Sequence, residues 1–151
     1  MSNALNGAWR LQSWSARLPD GSLAAPFGEK PQGVLVYTAD GTMCSAFMNS
    51  SREPIGVQLA ACRRYWQGLR KDAPPGEGDI KARLLQAALR FNSYAGRYTV
   101  EGDRIHHSVE VALFPDWIGL RLMRRFRFEE EKLSLSFDSL GQEDTLTWSR
   151  R

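Results

Sequence analysis

The sequence predicts a mainly β protein, an antiparallel up-and-down β-barrel of about eight strands with a two-helix insert between strands 3 and 4. Three observations predict this fold. Short segments alternate apolar and polar residues with a period of two, which is typical of half-buried strands. Turn signals, such as Asp40 followed by Gly41, separate these segments. Between residues 50 and 92 the apolar period lengthens to that of a helix.

The strands follow one another along the chain and are joined mostly by short turns. In the first strand, Trp9 and Leu11 point to one face and Trp14 to the other. Residues 1–6 are expected to be a flexible lead-in, Phe27 to plug one end of the structure, and Gly141 with Gln142 to form the last turn. The predicted strands are Gly7–Leu18, Gly33–Thr38, Thr42–Met48, Ser93–Val100, Arg104–Phe114, Gly119–Glu129, Lys132–Phe137 and Asp144–Arg150.

Two helices are predicted in the insert between strands 3 and 4. The first runs from about Pro54 to Leu69, and its proline lies in the first turn, where a missing N–H is harmless. The second follows Asp79, a residue type that favours the N-cap, and its apolar face consists of Ile80, Leu84, Ala87, Ala88 and Phe91. Such helices are suited to cap an open barrel end or to pack against its wall.

Length and composition predict one domain covering residues 1–151. The net charge of +3 is spread along the chain rather than gathered in a basic stripe, so no nucleic-acid partner is expected. Neither a signal peptide nor an apolar stretch near the ~20 residues that span a bilayer is present, so we expect no membrane association and a cytoplasmic location. Cys44 and Cys62 are expected to be reduced thiols. Phosphate-binding and dinucleotide motifs are missing, and no cofactor is expected.

The two histidines are adjacent on one predicted strand, so their side chains point to opposite faces and cannot share a metal ion. His107 is in phase with Ile105, Val109 and Val111 and should face the apolar interior. His106 should face solvent or the helices. A core histidine satisfied by a neighbour and a pocket histidine that contacts a ligand or moves a proton are both consistent with His107.

Arg124 is a cation on an otherwise apolar strand face. A guanidinium there must be paired, hydrogen-bonded or in contact with an anionic ligand, because an unpaired buried charge costs ~3–5 kcal/mol. One interpretation is a structural tie to a carboxylate or to the face of Trp9. The other is an anchor for a ligand carboxylate or enolate. Its phase partners are Leu120, Leu122, Phe126 and Phe128.

Aromatic residues are placed to line a pocket, although aromatics on strands commonly just fill the core. Tyr94 and Tyr98 share a face with Gly96, whose missing side chain would leave room between them. No catalytic residue is identified. The candidate ligand-binding residues are Trp9, Tyr37, Tyr94, Tyr98, His107, Arg124 and Phe126.

Six short motifs in register resemble the lipocalin-like domain family of small bacterial and fungal proteins. They are GAWRLQSW at Gly7–Trp14, GVLVYTADGTM at Gly33–Met43, YAGRY at Tyr94–Tyr98, IHHSVEVALFPDWIG at Ile105–Gly119, RRF at Arg124–Phe126 and LTWSR at Leu146–Arg150. The resemblance implies a lipocalin-like β-barrel that binds a small, largely apolar molecule. It also implies that some members act as cyclases or isomerases in natural-product pathways. It carries over no catalytic residue.

Three functions are consistent with these observations. The first is binding of a small, largely apolar molecule with a polar group held by Arg124, His107 or a tyrosine. The second is a cofactor-free isomerase or cyclase acting on a polyketide- or terpenoid-like substrate in the same pocket. The third is a barrel with a filled core and an outer interaction surface, for example an edge-paired homodimer.

Overall fold

A computed structural model of the chain describes residues 2–56 and 80–151. These residues form two compact units. The larger unit comprises the residues up to Ser50 together with Phe91–Arg151, and the smaller unit is Ser51–Arg90.

The larger unit is a closed antiparallel β-barrel, as the alternating pattern predicts. The strands are β1 Gly7–Arg17, β2 Leu23–Ala24, β3 Gln32–Tyr37, β4 Thr42–Met48, β5 Phe91–Glu101, β6 Arg104–Ala112, β7 Arg121–Glu129, β8 Lys132–Ser139 and β9 Gln142–Arg150. From β3 to β9 each strand pairs with the next, and the barrel closes because β1 pairs with both β3 and β9. The short strand β2 was not predicted, and among the described strands it pairs with the end of β1.

Two β-bulges change which side chains point inward. The bulge in β1, between Leu11 and Ser13, reverses the alternation, so Trp14 packs against Phe27 instead of facing away from the core. The bulge between β5 and β6 leaves Val111 exposed, whereas the uninterrupted pattern placed it inside. The predicted faces are therefore wrong for Trp14 and Val111.

One end of the barrel is closed by a short helix, α1 Ser2–Leu5, where a flexible lead-in was expected. The Leu5 side chain is fully buried, and its carbonyl accepts a hydrogen bond from Trp9 Nε1 at 2.8 Å. Arg150 donates to the carbonyls of Ala4 and Asn6, at 2.6 and 2.8 Å. The expectation of a flexible lead-in is therefore wrong for residues 2–6, because these contacts anchor the segment to β1 and β9.

Phe27 is buried, as predicted for a plug. Its ring packs on Trp14 at 4.8 Å and on Phe47 at 5.7 Å between ring centroids. The last turn is formed by Leu140 and Gly141, not by Gly141 and Gln142. Both residues have positive φ, 51° and 78°, which is the geometry that a two-residue hairpin turn requires.

In the smaller unit, the second predicted helix is observed as α2 Ile80–Leu89. Phe91, expected on its apolar face, is instead the first residue of β5. Arg83 donates to the Ile55 carbonyl at 2.7 Å, and Arg52 donates to the Ala87 carbonyl at 3.2 Å. Residues 54–56 are not helical, so the first predicted helix does not begin at Pro54, and its remainder lies outside the described residues. Within the described ranges, none of the helices has the length and apolar character needed to traverse a bilayer.

Candidate ligand-binding site

Three strands bring two tyrosines and a histidine together inside the barrel. The Tyr37 hydroxyl, on β3, lies 2.8 Å from His107 Nε2, and the Tyr94 hydroxyl, on β5, lies 3.0 Å from His107 Nδ1. His107 occupies the middle of β6, between Ile105 and Val109, and all three are buried. The predicted inward orientation of His107 is confirmed. The row Tyr37–His107–Tyr94 is called the polar row below.

Burial sets the protonation of the polar row. Desolvation, reinforced by the charges of Arg124 and His106, lowers the pKa of His107 to about 3, so the imidazole is neutral at pH 7. Burial raises the pKa of Tyr37 well above its usual value, and it also raises the pKa of Tyr94. All three groups are therefore uncharged near neutrality.

Arg124 extends the polar row onto β7. It pairs with the buried Ile105 across the β6–β7 ladder, and directly paired residues share a face, so Arg124 points inward. Its guanidinium lies 4.0 Å from the Phe137 ring centroid and donates to the Met123 carbonyl at 2.9 Å. It also lies beside Tyr94, where its charge and hydrogen bonding act to lower the pKa of the phenol against the larger effect of burial.

The predicted structural partners of Arg124 are not found. Trp9 is stacked by Arg150, at 4.4 Å from guanidinium carbon to ring centroid, and not by Arg124. Within residues 2–56 and 80–151, no carboxylate lies within ion-pair distance of Arg124. Among the described residues, the guanidinium therefore contacts a carbonyl, the Tyr94 side chain and an aromatic face.

The inner wall around Arg124 has solvent-accessible surface. Arg124 is partly exposed together with Leu122 and Phe126 on β7 and Phe137 on β8, whereas Leu35 and Tyr37 on β3 are buried. The apolar members of this half-buried wall are Leu122, Phe126 and Phe137, which pack against the core.

Two predicted site residues lie toward the α1 end and serve as structural ties. Trp9 Nε1 donates its hydrogen bond to the Leu5 carbonyl. The Tyr98 hydroxyl bonds to Asn6 Oδ1 at 2.9 Å and to the Thr38 carbonyl at 3.0 Å, while its ring packs on Tyr37 at 4.8 Å. The structure thus brings Tyr37, Tyr94, His107 and Arg124 together and leaves the hydroxyl of Tyr98 engaged elsewhere.

Gly96 does not leave room for a ligand between Tyr94 and Tyr98. A Cβ at Gly96 would lie 2.0 Å from the Ser108 carbonyl oxygen. The space that a side chain would occupy is therefore taken by the backbone of the neighbouring strand. The glycine permits close approach of β6 at the bulge. That interpretation of the sequence is therefore wrong.

The family model for the lipocalin-like domain matches residues 6–151, essentially the whole chain. The chain belongs to the lipocalin-like domain family. No functionally curated protein matches this lipocalin-like sequence.

Distant solved structures also match this lipocalin-like chain. An uncharacterised protein from Bacteroides eggerthii DSM 20697 is 11% identical, with 95% of this chain and 98% of that chain covered and a TM-score of 0.44. The wild-type fluorescent protein UnaG is 10% identical, with both chains fully covered and a TM-score of 0.44. An asparagine-to-alanine mutant of UnaG gives 10% identity and a TM-score of 0.45, with 100% of this chain and 99% of that chain covered.

Sequence reasoning missed two residues of the lipocalin-like interior. Phe137, under Arg124, shares the alternation of Leu133 and Leu135, so the pattern of β8 contained the signal. Asn92 is buried and in phase with Tyr94, but the strand was predicted to start one residue later. Its Oδ1 is buried without a hydrogen-bond partner among the described residues. Within those ranges no three histidine, cysteine or carboxylate side chains are grouped as a metal site would require.

Proposed function

We propose that this chain binds one small, largely apolar molecule, with a polar group, inside the barrel. The observation that carries the proposal is the accessible inner wall, where Arg124 lies among Leu122, Phe126 and Phe137 without a described carboxylate partner. A cation in such a wall is stabilised by a ligand that supplies hydrogen-bond acceptors.

The wall can support useful affinity. Burying apolar ligand surface against the leucine and the two phenylalanines contributes about 25 cal/mol per Å². A hydrogen bond to a charged group contributes a further 1.5–3 kcal/mol as a rough guide. The apolar body thus provides most of the affinity, and Arg124 sets the orientation of the ligand.

Binding is favoured over the isomerase or cyclase alternative by the state of His107. Both of its ring nitrogens are engaged by tyrosine hydroxyls, and burial holds its pKa at about 3. An effective general base needs an available nitrogen and a pKa near the working pH. The polar row therefore suits positioning of a ligand better than abstraction of its proton.

A pair of neighbouring variants tests the proposal. Leu122 points inward and Met123 outward on β7, because they pair with His107 and His106 respectively. Leu122→Trp should fill the wall and weaken binding of 1-anilinonaphthalene-8-sulfonate, followed by fluorescence, by about tenfold or more, which corresponds to ~1.4 kcal/mol. Met123→Trp should leave the affinity within about twofold.

Equal effects of the two variants would contradict an interior site, as would dye binding that neither variant changes. Near-ultraviolet circular dichroism of each variant shows whether the barrel is still folded. Mass spectrometry of compounds that co-purify with the protein then identifies candidate natural ligands.

A further inference from the structure

The hydrogens of the polar row can be arranged in two ways, and each leaves one tyrosine hydrogen without an acceptor among the described residues. A neutral imidazole carries one N–H donor and one acceptor nitrogen. His107 is fully buried between the two tyrosine hydroxyls. One hydroxyl must therefore donate to the ring, and the other must accept from it.

Tyr37 is the hydroxyl that donates. The residue is 1% exposed, and its hydroxyl has no hydrogen-bond partner other than His107 Nε2 among the residues that the structure describes. If Nε2 carried the proton, the Tyr37 hydrogen would be buried without an acceptor, which costs roughly 1–3 kcal/mol. A hydrogen left at Tyr94 costs less, because Tyr94 lies beside the partly exposed Arg124, where a bound molecule or water can accept it. Nε2 is therefore the favoured acceptor, with the imidazole proton on Nδ1.

Tyr94 consequently accepts the Nδ1–H bond, so its own hydrogen cannot point to His107. Arg124, beside it, offers only donors. In the described part of the chain, no other acceptor contacts the Tyr94 hydroxyl. The Tyr94 O–H and the Arg124 guanidinium thus both present hydrogens to the barrel interior.

From this direction of hydrogen bonding we propose that the bound molecule is an apolar carboxylate, whose oxygens accept from Tyr94 and Arg124. This rests on the proposed function and narrows it to one ligand class. A carboxylate is acceptor-only, so it satisfies both donors and balances the charge of Arg124. An ammonium group would place donor against donor and cation against cation, and an alcohol would leave the charge of Arg124 unbalanced.

The tautomer of His107 is measurable in the ligand-free protein. The chain has only two histidines, so ¹⁵N correlation spectra of the imidazoles, assigned with the His107→Gln variant, resolve both rings. We expect His107 to be protonated at Nδ1. Protonation at Nε2, or averaging between the two nitrogens, would overturn the proposal.

Three probes of one shape test the ligand class: 1-naphthylacetate, 2-(1-naphthyl)ethanol and 2-(1-naphthyl)ethylamine. The acid should bind at least about tenfold more tightly than the alcohol, the amount expected for one charge-assisted hydrogen bond. The amine should bind more weakly than the alcohol. Tyr94→Phe and Arg124→Leu should each reduce the preference for the acid.

Tyr98→Phe is the matched control, because that hydroxyl is engaged by Asn6 and Thr38 and should not change the preference. Equal affinity for the acid and the alcohol, with both still sensitive to Leu122→Trp, would overturn the carboxylate assignment and leave interior binding intact. If Leu122→Trp weakens the binding of none of the three probes, both proposals are overturned. A preference for the acid that survives both Tyr94→Phe and Arg124→Leu would place the carboxylate elsewhere.

Discussion

His107 couples the stability of the barrel to pH. Its pKa is about 3 in the folded chain and near 6.5 when exposed, so the unfolded state binds more protons between these values. The free energy of unfolding should therefore fall as the pH falls from about 6.5 towards 3. The loss can reach several kcal/mol, because each unit of pKa difference corresponds to about 1.4 kcal/mol.

Urea unfolding at a series of pH values measures this slope. His107→Gln cannot titrate, so its stability should depend less on pH between about 4.5 and 6.5 than that of the natural sequence. Asp40 and Glu101, whose pKa values are lowered by hydrogen bonds, are unchanged in both proteins and cancel in the comparison. Parallel slopes in the two proteins would refute the role of His107.

At the scale of single elements, the turn between β8 and β9 stores strain. Leu140 has a φ of 51° and is 98% exposed, so its side chain contributes little packing in return for an unfavourable backbone conformation. Leu140→Asn should raise the free energy of unfolding by about 0.5–1 kcal/mol, because asparagine tolerates positive φ.

Leu23→Asn provides the comparison for this change. Leu23 is also exposed, at 66%, but it lies in strand β2, so the same substitution gains nothing from the backbone. Chemical denaturation measures the free energy of unfolding of both variants. The difference between them separates the effect of the turn from a general effect of removing an exposed leucine. A gain in stability shared by both variants would contradict the turn argument.

Elements with local signals were predictable from the sequence, and elements set by distant contacts were not. The hairpin at Asp40 and Gly41 and the alternation of β8 depend on neighbouring residues. The bulge near Leu11 and Ser13 depends on how β1 pairs with β9, more than a hundred residues away. α1 has four residues and is held by Trp9 and Arg150, so its own sequence contains little helical signal.

The candidate site shows the same division. Alternation placed His107 and Arg124 on the inner face because each lies on a regular stretch of strand. The Tyr37 and Tyr94 hydroxyls contact the two nitrogens of His107 because of the register between β3, β5 and β6. Register between strands far apart in the chain cannot be read from one sequence.

At the scale of the whole molecule, the barrel should fold without the smaller unit. Met48 and Phe91 pair directly at the ends of β4 and β5, so a linker of about four residues can replace Ser51–Arg90. Among the described residues, the buried core of the barrel consists of residues from its own strands, α1 and the loop carrying Phe27. We expect the shortened chain to retain its near-ultraviolet circular dichroism and a cooperative thermal transition.

A shortened chain with no cooperative transition would show that the barrel depends on the smaller unit. The shuffled-linker version, with the same four residues in another order, controls for the linker itself. If both fold, the naphthylacetate titration can be repeated on them to learn whether residues 51–90 affect entry of the ligand.

The ties from Arg150 to Ala4 and Asn6 have a consequence for engineering. The backbone N–H of Arg151 also bonds to the Ala8 carbonyl at 3.0 Å, so the first and last residues of the barrel lie side by side. The two ends can therefore be joined by a short peptide and the chain reopened at an exposed turn such as Gly102. Such a circular permutant moves the cut away from α1 and offers an exposed place to attach a reporter.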